Sequence, residues 1–139
     1  MKFFVLDASV ALSWFVDAPV HPYAEAVRDQ LAAGKARGVS PQLSTLEFGN
    51  GILVAERRKL LSQIQSDECI EKMNQLLRSS VELDTMHTPL DGLLPLSRTF
   101  QLTVYDACYL ELALRRQMPL ASLDKSLQAA AKMAGVKSA

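Results

Sequence analysis

The sequence predicts an α/β fold, a three-layer α/β/α sandwich around a parallel sheet, and three observations carry that expectation. Short apolar or β-prone runs alternate with stretches of helical periodicity from one end of the chain to the other. The clearest run, Phe3-Phe4-Val5-Leu6, is continuous rather than alternating, as in a strand buried on both faces. With 139 residues, 49% of them hydrophobic, the chain can fill a core and bury about two-thirds of its unfolded surface. No repeat, low-complexity tract or linker divides it, so residues 1–139 are read as one domain.

Phe3 to Leu6 is the first strand, ended by Asp7. Ser9 can cap a short helix through Phe15, after which Pro19 and Pro22 mark a loop. Tyr23, Val27 and Leu31 recur at helical spacing and predict a helix ending near Gly34 or Gly38. Val39 to Leu43 is a weak strand because it carries Pro41. Ser44 opens the next helix, with Leu46, Leu53, Val54 and Leu60 as apolar positions and Arg57, Arg58 and Lys59 placed favourably for the helix dipole. Gly49 and Gly51 inside it each cost about 1 kcal/mol against Ala, which suggests close approach of another backbone. Ser66 begins a helix with Ile70, Met73 and Leu77 on one stripe, and Val81 to Leu83 is a strand. Pro89 through Phe100 is helical despite Gly92 and Pro95. Val104 to Arg116 is a strong helix through Ala107, Leu110, Ala113 and Leu114. Pro119 to Leu123 is a strand ended by Asp124, and a last helix runs from Lys125 to Ala134, closing at Gly135.

Charge narrows the function classes. Fifteen basic residues balance fifteen acidic ones, which argues against a chain-wide electrostatic attraction for nucleic acid but leaves room for a local basic rim. The apolar N-terminus is interrupted by Asp7, and no stretch has membrane-spanning length, so the expectation is a soluble, cytoplasmic protein without a signal peptide. Cys69 and Cys108 lack any CxxC or Cys/His spacing and are read as core-facing thiols rather than zinc ligands or a disulfide. His21 and His87 sit in loop-like contexts near prolines without metal or catalytic pairing.

Four acids stand out: Asp7, Glu47, Asp106 and Asp124. Each has a structural reading beside a functional one. Ser44-x-x-Glu47 has the spacing of a capping box, Thr103-x-x-Asp106 a looser form of it, and Asp124 can be a helix N-cap. Asp7 is harder to explain structurally, because an acid that ends an apolar strand is partly buried and needs partners. Together, three helix starts and one strand end would place all four at the carboxyl edge of the sheet, where open α/β folds bind their ligands. Four gathered carboxylates repel by roughly 4 kcal/mol per pair at about 4 Å and an effective dielectric near 20, so a fold keeps them only with an offsetting partner. Hard oxygen donors suit Mg²⁺ or Mn²⁺, and a pair of such ions about 3.5–4 Å apart can drive phosphodiester hydrolysis. No Ser-His-Asp or Cys-His nucleophile, Walker loop or GxGxxG competes.

Four blocks then give a resemblance. Leu6-Asp7-Ala8-Ser9, Leu46-Glu47-Phe48-Gly49-Asn50, Leu102-Thr103-Val104-Tyr105-Asp106-Ala107 and Pro119-Leu120-Ala121-Ser122-Leu123-Asp124 resemble the successive motifs of PIN-domain ribonucleases, and within them the VapC-type toxins of toxin–antitoxin pairs. The resemblance covers essentially the whole chain in order. Its most specific part is the Thr-x-Tyr-Asp-Ala block followed 18 residues later (124 − 106) by Leu-Asp. It implies a PIN-like domain over 1–139 in which Asp7, Glu47 and Asp106 are core metal ligands and Asp124 the fourth acid, binding directly or through water. Asn50 matches the family's Glu-x-x-Asn and would support the pocket, and Ser9 and Ser122 would hydrogen-bond the carboxylates. The family more often has Thr where this chain has Ser122, which keeps the hydroxyl.

The expected function is a Mg²⁺- or Mn²⁺-dependent endoribonuclease, in which metal-activated water attacks phosphorus and leaves 5′-phosphate and 3′-hydroxyl ends. RNA would approach through Arg57, Arg58, Lys59, Arg115 or Arg116, although solvated surface is the plainer role for each. The resemblance also implies a cognate antitoxin and a homodimer, for which the helices around Gly49 to Leu61 and Ile70 to Leu77 offer faces that are equally readable as core. Trp14 and Phe15 are readable as an antitoxin groove or as core aromatics. A PIN-like RNA-processing nuclease outside a toxin–antitoxin pair is the alternative, and a non-catalytic binding module of the same fold is a further one. A receiver or haloacid-type phosphatase is disfavoured: position 9 is Ser where Asp-x-Asp would need an acid, and no Asp lies between positions 30 and 66.

Overall fold

In the computed structural model, which describes residues 1–86 and 88–139, the first apolar run is strand β1 (Lys2–Leu6), flanked by strands on both sides. His87, read above as unpaired, lies outside the described residues. Side chains alternate along a strand. Phe4 and Leu6 therefore enter one core, with Trp14, Val27, Phe48, Ile52, Met73 and Val81. Val5 enters the other, with Val39, Tyr109, Leu110, Leu120 and Leu127. A strand buried on both faces has no use for polar alternation, which is why the run is continuous.

The described elements continue as α1 (Ala8–Val16), α2 (Pro22–Ala32), β2 (Ala36–Pro41), α3 (Leu43–Arg57), α4 (Gln63–Ser79), β3 (Val81–Asp84), α5 (Leu90–Phe100), α6 (Val104–Arg116), β4 (Leu120–Ala121) and α7 (Lys125–Met133). The four strands are all parallel in the order β3-β2-β1-β4, with helices on both faces, so the three-layer α/β/α sandwich is observed. The chain leaves β1 toward β2 and β3, then returns to the far side of β1 as β4. That reversal makes the carboxyl ends of β1 and β4 a topological switch point, where loops diverge and leave a crevice. No described helix is long and apolar enough to cross a membrane.

Several local expectations are corrected. Ser9 does not cap α1; Asp7 occupies that position without a side-chain cap bond, and Ser9 lies in the first turn. Ser44 does not open α3, whose N-cap is Gln42, and Ser44 is buried inside the helix. The Ser44–Glu47 capping box is therefore absent. The buried face of α3 is Ser44, Phe48, Ile52 and Ala55, while Leu46, Leu53 and Leu60 are exposed. Helix α4 starts before Ser66: Ser62 is its N-cap and forms a capping box with Gln65, and Ile70 is partly exposed while Cys69 and Met73 are buried. β2 begins earlier than expected, and Gly38 lies within it rather than at a helix end. Trp14 and Phe15 belong to the core: the Trp14 indole donates to Ala24 O at 2.7 Å, and Phe15 packs edge-on against Phe48. Both cysteines are free thiols. A Cβ on Gly51 would lie 2.6 Å from both Cδ atoms of Leu12, so this glycine allows α1 to lie against α3. The close neighbour is thus a side chain rather than a backbone, and at Gly49 a Cβ would meet open space.

Candidate active site

The switch point holds a cleft of about 280 Å³ lined by Asp7, Ser9, Glu47, Asn50, Asp106 and Asp124, together with Ala8, Leu12 and Gly51. Each acid arrives from a different element. Asp7 ends β1, Glu47 sits one turn into α3, Asp106 lies in the first turn of α6 and Asp124 caps α7. All four acids that the sequence singled out are brought together, as are Ser9 and Asn50. Ser122 is buried behind the cleft and reaches it through Asp7.

Asp7 is only 5% exposed and is held by two hydroxyls. Ser9 Oγ and Ser122 Oγ both donate to its Oδ2, at 2.6 and 2.7 Å. The same hydroxyls accept backbone N–H groups, Ser9 from Leu123 and Ser122 from Asp124, both at 3.0 Å. Each serine therefore fastens β1's terminal acid to the β4–α7 loop. The backbone N–H of Ser9 also favours the charged Asp7 carboxylate, whose Oδ1 takes neither hydroxyl. Asp124 also divides its work: Oδ1 accepts the N–H of Leu127 at 2.9 Å as a helix cap, leaving Oδ2 uncommitted. Thr103 caps α6 by accepting the N–H of Asp106 at 3.1 Å, and its side chain also favours the charged Asp106 carboxylate. Asn50 is exposed on the rim and its side chain makes no hydrogen bond among the described residues.

Glu47 shows a partner that sequence reasoning missed. Tyr109, fully buried, donates its hydroxyl to Glu47 Oε1 at 2.6 Å and accepts the N–H of Ala8 at 3.4 Å. Its phenol thereby ties α3 to the residue after Asp7, while its own backbone lies one helical turn from Asp106. The available signal was that spacing, since positions three apart share a helix face.

Electrostatics sets this cleft apart from ordinary surface. Burial, first of all, pushes the Asp7 carboxyl above its ordinary value; the Ser9 and Ser122 hydroxyls pull it back, and the charge of Asp124 adds to the rise. Burial also raises Glu47, against the Tyr109 hydrogen bond and with the charges of Asp7, Asp106 and Asp124. Asp106 is raised by burial and then by Asp124 and Asp7. No ion pair among the described residues involves any of the four acids. The basic residues expected to meet RNA are elsewhere: Arg115 is bound to Asp84 and Glu111 at 2.6 and 2.7 Å, and Arg116 pairs with Glu82 and Asp84. Arg57, Arg58 and Lys59 lie at the far end of α3, ten or more residues and roughly 15 Å beyond Glu47.

This donor set fits a hard divalent cation: all oxygen, several atoms uncommitted, and acids that burial and mutual repulsion leave short of counter-charge. Among the described residues, no three acid, His or Cys side chains converge tightly enough to enclose an ion by themselves. Mg²⁺ does not require such a cage, since it keeps several waters and takes one or two carboxylates.

The chain belongs to the PIN-domain family, whose profile matches residues 4–133. The PIN domain is a nuclease fold. Among solved structures, the chain is similar to PAE2754 from Pyrobaculum aerophilum, at 22% identity and a TM-score of 0.67, over 94% of this chain and 79% of that one. It is also similar to FitAcB from Neisseria gonorrhoeae, at 15% identity and a TM-score of 0.58, over 97% of this chain and 95% of that one. At these identities the likeness establishes the shared fold. No curated protein sequence matches the chain significantly.

Proposed function

We propose that the chain is an Mg²⁺- or Mn²⁺-dependent endoribonuclease and the toxin of a VapBC-type pair. One observation carries the catalytic part: four carboxylates from four separate elements line a single cleft, with no basic partner among the described residues. A fold that needed these acids only as caps would not gather them. The toxin assignment rests on the motif order around Asp7, Glu47, Asp106 and Asp124.

On this reading Asp7, Glu47 and Asp106 would hold the metal, with Asp124 binding directly or through water. When bound, the metal would supply Lewis-acid activation of water and charge neutralisation at a phosphodiester. The protein's own groups do the positioning. Ser9 and Ser122 fix one oxygen of Asp7 so that the other is offered to the cleft. Tyr109 does the same for Glu47. Asn50, on the rim one turn beyond Glu47, is placed to steady a polar group entering the cleft. The partners are single-stranded RNA, a cognate antitoxin and a second copy of the chain.

Incubating the purified protein with single-stranded RNA and Mn²⁺, then mapping the ends, tests the catalytic assignment. The expected products carry 5′-phosphate and 3′-hydroxyl ends and disappear with EDTA. Cleavage that survives EDTA would sink the metal-dependent reading. For the toxin assignment, growth arrest on expression, relieved by the product of an adjacent small reading frame, is the expected result; unimpaired growth would favour a general RNA-processing role.

A further inference from the structure

A second cavity, of about 370 Å³, opens on the same carboxyl edge of the sheet between the ends of β2 and β3. Its floor is apolar, built from Leu43, Leu93, Cys108 and Leu112, and its lips are Met86 and Leu90, both more than 60% exposed. One wall is polar. Arg115 is clamped by Asp84 at 2.6 Å and Glu111 at 2.7 Å, and Thr88 donates to Glu111 at 3.1 Å. Nη1 of Arg115 has no partner among the described residues.

We propose that this cavity is a nucleobase subsite, taking the base of a nucleotide adjacent to the phosphodiester held at the acid cleft. It rests on the nuclease reading above and extends it to substrate recognition. Three observations converge on a base. The first is position. Leu43 and Glu47 lie on one face of α3 four residues apart, about 6 Å along the helix, and α6 gives Asp106 to one cleft and Cys108 and Glu111 to the other. The second is charge. Asp84 and Glu111 balance Arg115 in the wall and Arg116, which reaches Asp84 at 3.8 Å, so no surplus positive charge draws a phosphate and a neutral, flat ligand with polar edges is accepted. The third is shape and chemistry: an apolar slot beside a guanidinium immobilised by two carboxylates can stack a base and donate to its carbonyl edge. An apolar side chain from a protein partner would fill the floor but give Nη1 of Arg115 no acceptor.

The test uses ¹³C-methyl-labelled protein in EDTA, titrated with each of the four ribonucleoside 5′-monophosphates and with ribose 5-phosphate. Methyl resonances of Leu43, Met86, Leu90 and Leu112 should move with at least one nucleotide and stay still with ribose 5-phosphate. The double variant Met86→Ala/Leu90→Ala alters exposed lips only and should weaken that binding about tenfold, the loss expected when the apolar cover of a bound base is cut back. Static cavity methyls with every nucleotide, or equal shifts with ribose 5-phosphate, would overturn the subsite. So would a response to N-acetyl-leucinamide alone, which would assign the cavity to a protein side chain. RNA cleavage in Mn²⁺ is scored separately. Cleavage with static methyls defeats the subsite and leaves the nuclease, while base-dependent shifts without cleavage do the reverse.

Discussion

Asp7 carries two opposed demands. Burial and the charge of Asp124 disfavour its ionised form, and the Ser9 and Ser122 hydroxyls restore only part of the loss. On the proposed reading that cost is kept for chemistry, and replacing Asp7 should separate function from stability. Asp7→Asn retains an oxygen to accept the two hydroxyls but removes the charge. It should abolish RNA cleavage while raising the Tm of the metal-free protein, read by calorimetry. A fall in Tm would mean that the charge is satisfied within the fold. Tyr109→Phe tests the support of Glu47 in the same way. It keeps the buried ring and removes one hydrogen bond, so Mn²⁺ affinity and kcat/KM should drop about 10- to 100-fold with the fold intact. Titration calorimetry reads the affinity without reference to cleavage, and an unchanged affinity would reduce Tyr109 to core packing.

Helix α3 shows at the element scale how position decides what a residue type means. Gly49 and Gly51 are two positions apart in one helix, yet a Cβ meets nothing at the first and Leu12 at 2.6 Å at the second. Gly49→Ala should therefore stabilise the protein by about 0.5–1 kcal/mol, the helix-propensity gain, with cleavage unchanged. Gly51→Ala should gain less or lose, because Leu12 must move and α1 carries Asp7 at its start; denaturant midpoints for the two variants check the contrast. The same helix marks what the sequence could reveal. Periodicity located α6 to the residue, and the continuous run of β1 was readable because burial on both faces leaves a plain apolar signature. The Ser44–Glu47 box failed because Ser44 points into the core and Glu47 to the cleft, a distinction that only tertiary packing makes. Asp7, Asp106 and Asp124 were legible because each closes a strand or opens a helix at a boundary, whereas Glu47, a turn inside α3, was singled out through a capping box that is absent. Tyr109 was not, since a buried tyrosine in an apolar helix reads as core until its hydroxyl is seen on Glu47. Arg115 and Arg116 read as free basic surface because, apart from Glu111 one turn back on α6, their carboxylate partners come from β3, some thirty residues away.

The whole molecule should respond to pH in opposite senses with and without metal. Asp7, Glu47 and Asp106 hold protons more tightly folded than unfolded, so without metal they destabilise the fold once ionised. Their contribution to stability therefore rises as pH falls through the raised folded values toward the ordinary ones, 3.8 for Asp and 4.5 for Glu. The excess Tm of Asp7→Asn over the wild type should shrink across that window, while a gap that widens on acidification would reverse the assigned sign. With Mn²⁺ present the sense inverts, because ionised acids bind the ion, and a concentration one hundred times Kd adds about 2.7 kcal/mol. That increment should vanish on acidification and be absent in Asp7→Asn. The most direct test of the account is cleavage of single-stranded RNA in Mn²⁺ by the wild type and by Asp7→Asn and Asp106→Asn, all verified as folded. The wild type should yield products carrying 5′-phosphate ends and either variant none, whereas undiminished cleavage by either folded variant would contradict a catalytic site built on these acids.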